Sequence, residues 1–210
     1  YMAINHSMKK ILKALSFDGI EVEAARHLAS LKAIDPMKIF HKTIDYKIYN
    51  GDYEVPVRIY LPREKVTEDL PVFLFFHGGG WVTDCIDNYE RICARLASAT
   101  EHIVVSVEYR LAPEHPFPTG FMDCYAVAKA IYTNRFILNV NPQRITLIGD
   151  SAGGNLAAAV SLKARDDGIF KPQRQILIYP AVNNDYSDTS RFQSVKDCGS
   201  DYLLTAGKMR

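Results

Sequence analysis

The chain has 210 residues, 48% of them hydrophobic and 23% charged, and a formal net charge of +1. That size and balance suit a globular protein with one large core or two modest ones, and they offer no bulk electrostatic case for nucleic acid or an anionic membrane as partner. The longest apolar runs are too short to span a bilayer, and the opening stretch, YMAINHSMKKILKAL, lacks the long apolar segment of a signal peptide.

The first predicted element is helical. Between residues 8 and 34, Ile11, Leu12, Leu15, Val22, Ala25, Leu28, Ala29 and Leu31 recur near the helical period, with a break at Asp18-Gly19. From Thr43 the pattern alternates: TIDYKIYN, a Gly-Asp turn, then YEVPVRIYLP, which predicts a hairpin with one half-exposed face. Val72–Phe76 has no polar alternation, as expected of a strand covered on both faces. A helix over Asn88–Ala99 follows, then a second buried strand in HIVVSVEY. The proline-rich RLAPEHPFP leads into a helix over Gly120–Arg135. RITLIG reads as a third buried strand, turning at once into a helix over Ala152–Arg165, and QILIYP as a fourth. Strands alternating with helices predict an α/β fold with a parallel sheet and helices on both faces.

Two motifs sit at strand ends. Gly149-Asp150-Ser151-Ala152-Gly153 fits G-x-S-x-G where a buried strand becomes a helix, the setting of a nucleophile lifted onto a sharp turn. Neighbours two residues before and after such a serine need to lack bulk, and both are glycine. The dinucleotide and phosphate-loop patterns fail, because position 151 is not Gly and no Gly-Lys-Ser/Thr is present. The second motif, His77-Gly78-Gly79-Gly80, ends the first buried strand. The backbone amides of Gly79, Gly80 and Ala152 are candidate donors to a developing oxyanion, and His77 is expected to hold the loop. The four cysteines, Cys85, Cys93, Cys124 and Cys198, are scattered without a CxxC pair or Cys/His cluster. No metal, no cofactor and a reduced cytoplasmic setting are therefore expected.

In this order, HGGGW, YRLAPEHPFP, GDSAGGNLAA and LIYP resemble the hormone-sensitive-lipase-like family of α/β-hydrolase carboxylesterases, over roughly residues 43–205. The resemblance implies an α/β-hydrolase fold: a mostly parallel central sheet flanked by helices, with a core at 43–182, cap helices at 1–42, a second cap segment starting at 183–210, and a C-terminal part missing from this chain. It implies a serine carboxylesterase acting on short to medium acyl esters, with Ser151 as nucleophile, Gly79, Gly80 and Ala152 as oxyanion hole, and His77, Gly78 and Asp150 in support. Asp84 departs from the pattern, since many relatives carry Gly there; with Cys85 it is expected to alter the pocket. Phe17, Phe40, Tyr186, Phe192 and Tyr202 are candidates for lining the acyl pocket. The expected partner is a small-molecule ester, with a homodimer left open.

All six histidines, at 6, 27, 41, 77, 102 and 115, precede Ser151. A strand–turn–helix serine belongs to the chain order Ser, acid, His, so the triad acid and base are expected beyond residue 210 and the chain alone is expected to be inactive. His115 is expected at the rim of the site. Thr205 reads as a helix N-cap, and Gln175–Tyr179 as an apolar sheet edge. The alternative is a catalytically silent ligand-binding protein on the same scaffold, and a third reading has a partner chain supplying further strands. An acid followed by a His downstream of Arg210 would favour the enzyme.

Overall fold

The computed structural model describes residues 22–31, 43–62 and 70–198. The expected helix before residue 22, together with His6, Phe17, Phe40, His41, Tyr202 and Thr205, lies outside the described residues. Within the described residues the elements are α1 (Val22–Leu31), β1 (Thr43–Asn50), β2 (Tyr53–Tyr60), β3 (Val72–Phe76), α2 (Ile86–Thr100), β4 (Ile103–Val107), α3 (Thr119–Tyr132), a short 3-10 turn (Pro142–Arg144), β5 (Ile145–Asp150), α4 (Ala152–Asp167), β6 (Arg174–Ile178) and α5 (Gln193–Cys198).

The chain divides into two compact units, and Arg26–Ala181 holds the sheet. Its strand order is β1-β2-β4-β3-β5-β6. β1, β2 and β4 pair antiparallel, and β4, β3, β5 and β6 run parallel. The hairpin turns at Gly51-Asp52, and Gly51 takes the positive φ of 62° that such a tight reversal requires.

Every residue of β3 and β4 is buried, because helices cover both faces. The period-2 geometry of a strand splits their side chains between two cores. Val72, Leu74 and Phe76 point into the larger, with Val105, Val107 and the inner faces of α3 and α4. Phe73 and Phe75 point into the smaller, against Cys93, Ala94 and Ala97 of α2. β3 connects to β4 through α2 on one face, and β4 returns across β3 to β5 through α3 on the other. The connections thus diverge at β3, which opens a crevice beyond the carboxyl ends of β3 and β5.

Among the described residues β6 lies at the edge of the sheet, in agreement with the apolar edge read at Gln175–Tyr179, and Ile176 is 42% and Ile178 36% exposed.

Of the second unit, the described residues are 22–25 and 182–198. There Asp185 Oδ1 accepts from the Ser187 amide and hydroxyl, and Ser190 Oγ donates to the Asp185 carbonyl, forming a turn ahead of α5.

Candidate active site

β5 delivers the chain to Asp150 and α4 begins at Ala152, so Ser151 alone makes the turn. Its backbone has φ 52° and ψ −115°. A residue with a β-carbon rarely adopts that region, at a cost of order 1–3 kcal/mol, unless its surroundings over-determine it. They do here. Ser151 N donates to Ile178 O at 2.9 Å, and Ser151 O accepts from Asn155 N and Ala181 N, each at 3.1 Å. Asn155 Nδ2 adds a bond to Ala181 O at 2.8 Å. Ser151 occupies the N-cap position of α4, yet its hydroxyl makes no capping bond, and the residue is half-buried. A serine there would ordinarily bond the helix's own amides.

The flanking glycines are sterically required. A β-carbon on Gly149 would overlap the backbone of Gly153, and one on Gly153 would overlap the carbonyl oxygen of Phe76 and lie 2.5 Å from that of His77. The helix start and the end of β3 are therefore in backbone contact, as the pairing of Phe76 with Gly149 demands.

That contact brings the two motifs together. Gly78 N donates to Asp150 Oδ1 at 3.0 Å, and Tyr89 Oη on α2 donates to Asp150 Oδ2 at 2.8 Å. The Asp150 carboxylate thus ties the start of the glycine loop to the serine turn, and a β-carbon on Gly78 would sit 2.5 Å from Asp150 Oδ2. Burial pushes the Asp150 carboxyl above its ordinary range, and its hydrogen bonds pull against that rise. Beyond Gly78, Gly79 (φ 106°) and Gly80 (φ 61°) both take backbone conformations that disfavour side chains. Gly79 O closes the loop by accepting from Val82 N at 3.1 Å and Thr83 N at 2.9 Å. The amide of Ala152, first in α4, has no partner within its helix and lies at the positive end of the helix dipole.

Asp84 also has a positive φ, 70°. Asparagine-like short polar side chains tolerate this region by bonding locally, and Asp84 does so with Thr83 Oγ1 and Asn88 Nδ2. Cys85 is half-buried with a free thiol that burial pushes up.

His77 is completely buried. Its Nδ1 lies 2.7 Å from Gly78 O, an acceptor, so that nitrogen carries the proton. The ring stacks on Tyr109 at 4.3 Å, and Tyr109 Oη donates to the His77 carbonyl at 2.8 Å. Burial drives the imidazole down to about 4. A group depressed in this way is neutral in the folded state but takes a proton in the unfolded one, so stability is lost as pH falls from about 6.5 toward about 4. Urea melts at about pH 7 and about pH 5 are expected to show a lower midpoint in acid, with a smaller drop in His77→Asn. An identical drop in both proteins would show that His77 does not carry the effect.

A cavity of about 380 Å³ adjoins the glycine loop, with walls from Gly80, Trp81, Tyr109, Phe121, Leu156 and Ala159. His115 and Phe117 also line it and are both exposed. A larger depression of about 700 Å³, against β1, β2 and the start of α2, is bordered by Asp45, Arg58, Asp87 and Glu108 and includes none of the glycine-loop residues. Sequence reasoning missed Tyr89, Tyr109 and Asn155. Only Asn155 left a signal, as a residue unfavourable inside a helix yet placed one turn after the serine.

A family described as having the α/β-hydrolase fold matches residues 73–210. The chain is 40% identical over 174 residues to the carboxylesterase NlhH of Mycobacterium tuberculosis, covering 81% of this chain and 53% of that protein. It is 37% identical to an arylesterase of Saccharolobus solfataricus, covering 83% and 55% respectively. It thus spans about half the length of these curated relatives. A solved hyperthermophilic esterase from the archaeon Pyrobaculum calidifontis superposes with a TM-score of 0.80 at 34% identity, covering 99% of this chain and 68% of that one.

These findings correct two expectations. The match is to the broader α/β-hydrolase family, and these relatives are carboxylesterases and arylesterases, so the narrower hormone-sensitive-lipase-like assignment does not hold. The cytoplasmic setting falls too, since family and relatives specify a fold and an esterase class without a compartment. Among the described residues, no helix is long and apolar enough to cross a membrane. The polypeptide belongs to the α/β-hydrolase fold family.

Proposed function

We propose that the protein is a serine carboxylesterase acting on small-molecule esters of short to medium acyl chain, with Ser151 as nucleophile. The observation that carries this reading is the backbone of Ser151, held at φ 52° between two glycines that admit no side chain, with its hydroxyl not used to cap the helix. Strain of this kind, fixed from several sides, suits a group that must be presented rather than packed.

In this reading Ser151 Oγ attacks the acyl carbonyl and gives its proton to a histidine. The carbonyl oxygen, now negative, is received by the amides of Gly79, Gly80 and Ala152. The tetrahedral adduct collapses to an acyl-serine and releases the alcohol, and water then frees the acid by the same path. His77 is unsuited to be the base, because its imidazole is buried, pushed down to about 4 and committed through Nδ1 to Gly78 O. The base and its acid partner are assigned to sequence after Arg210. His77, Gly78 and Asp150 support the oxyanion loop. The similarity to a carboxylesterase and an arylesterase supports the reaction class. The test is hydrolysis of a chromogenic acetate or butyrate ester by the full-length protein, together with the gene sequence downstream of Arg210. Turnover with an acid followed by a histidine is expected. Binding without turnover, and no histidine there, would favour a silent binding protein.

A further inference from the structure

We propose that Arg26 is a positioning residue for the cavity beside the glycine loop: its guanidinium ties that loop to the proline-rich rim and so sets which acyl chains the cavity accepts. Arg26, on α1, donates from Nε to Val82 O at 2.9 Å and from Nη2 to Ala112 O at 3.1 Å. The two carbonyls belong to different loops. Val82 follows Trp81 directly in the glycine loop, and Ala112 lies in RLAPEHPFP. Backbone to backbone, these loops meet at the bond from Ala112 N to Trp81 O, 2.9 Å. Arg26 adds a bridge from Val82 O in one loop to Ala112 O in the other. Gly80, Trp81, Ala112 and His115 all line the cavity, so the Arg26 bridge joins two of the segments that wall it.

The guanidinium is itself oriented. Glu114, in the same rim, takes Nη1 at 2.9 Å and Nη2 at 2.8 Å in a two-pronged pair, and Arg26 holds its carboxyl down at about 2. Because Glu114 is more than half exposed, the ion pair adds little stability by itself. Its effect is geometric: it fixes the plane in which the other two donors reach their carbonyls. A planar fork of donors can serve two loops and a carboxylate at once, whereas an ammonium on a flexible stem cannot reproduce that set. Nothing in the sequence signals this, because Arg26 lies 56 and 86 residues from the carbonyls it binds.

The inference deepens the esterase reading and rests on it for its kinetic arm only. In the full-length protein, Arg26→Ala is expected to raise KM for a hexanoate ester roughly tenfold while changing acetate hydrolysis by less than about twofold, as loosening of a remote positioning contact would do. Arg26→Lys should rescue little of that selectivity. A second readout needs no catalysis. Trp81 labelled as fluorotryptophan, its resonance assigned by loss in Trp81→Phe, should shift or broaden in Arg26→Ala. A merely structural role would lower both esters in proportion to a fall in melting temperature and leave the selectivity ratio unchanged, and that result overturns the proposal. If the unaltered protein hydrolyses neither ester, the esterase reading has failed and the Trp81 resonance decides alone. A resonance identical in Arg26→Ala and the unaltered protein then overturns the clamp.

Discussion

Ser151→Ala is expected to lower kcat for ester hydrolysis by the full-length protein on the order of 10⁴-fold or more while leaving the thermal melt nearly unchanged. Both halves follow from the turn. The hydroxyl does not cap α4, so its removal costs the helix no bond. The bonds that hold the bend, Ser151 N to Ile178 O and Ala181 N to Ser151 O, are backbone and survive. Ser151→Gly sharpens the test. It should be equally inactive, yet more stable by about 1 kcal/mol, because it relieves a positive φ that only glycine adopts without strain. Steady-state kinetics and urea melts on the three proteins check this. Hydrolysis that persists in Ser151→Ala would remove the serine from the reaction, and a less stable Ser151→Gly would show that the bend is not strained.

Gly153→Ala is expected to destabilise the Arg26–Ala181 unit by about 3 kcal/mol or more, from overpacking that no side chain can relieve. The added methyl would overlap Phe76 O and sit 2.5 Å from His77 O, so β3 and α4 would have to move apart. The pairing of Phe76 with Gly149 and the bond from Gly78 N to Asp150 would move with them. Gly168→Ala is the control. Gly168 ends α4 at φ 66° with open space where a β-carbon would stand, so only the local strain of about 1 kcal/mol applies. For a domain of this size the first change corresponds to a fall in melting temperature of roughly 6–12 °C. Equal losses for the two variants would mean that the close approach of strand and helix is not rigid.

The parts of the fold legible in the sequence are those set by local pattern. Val72–Phe76 reads as a buried strand because no polar residue alternates in it, and two cores now account for both sets of its side chains. The Gly-Asp hairpin and the placement of Ser151 between strand and helix were likewise visible. What local pattern cannot carry was missed. α2 starts at Ile86, two residues before the expected Asn88, because Glu108, 22 residues away, accepts from Ile86 N at 2.6 Å. α3 spans Thr119–Tyr132 rather than Gly120–Arg135. At the site, the Asp150–Tyr89–Gly78 cluster and the cavity walls join residues that only the sheet order brings together. The motifs identified which residues bend the chain; the tertiary fold decides what surrounds the bend.

The most direct test of the central claim is to trap the nucleophile. The full-length protein would be treated with a reactive organophosphonate ester and its peptides mapped by mass. One adduct per chain, on the peptide carrying Ser151 and lost in Ser151→Ala, is the predicted result. An adduct on a different residue, or continued hydrolysis with Ser151 unmodified, would contradict it.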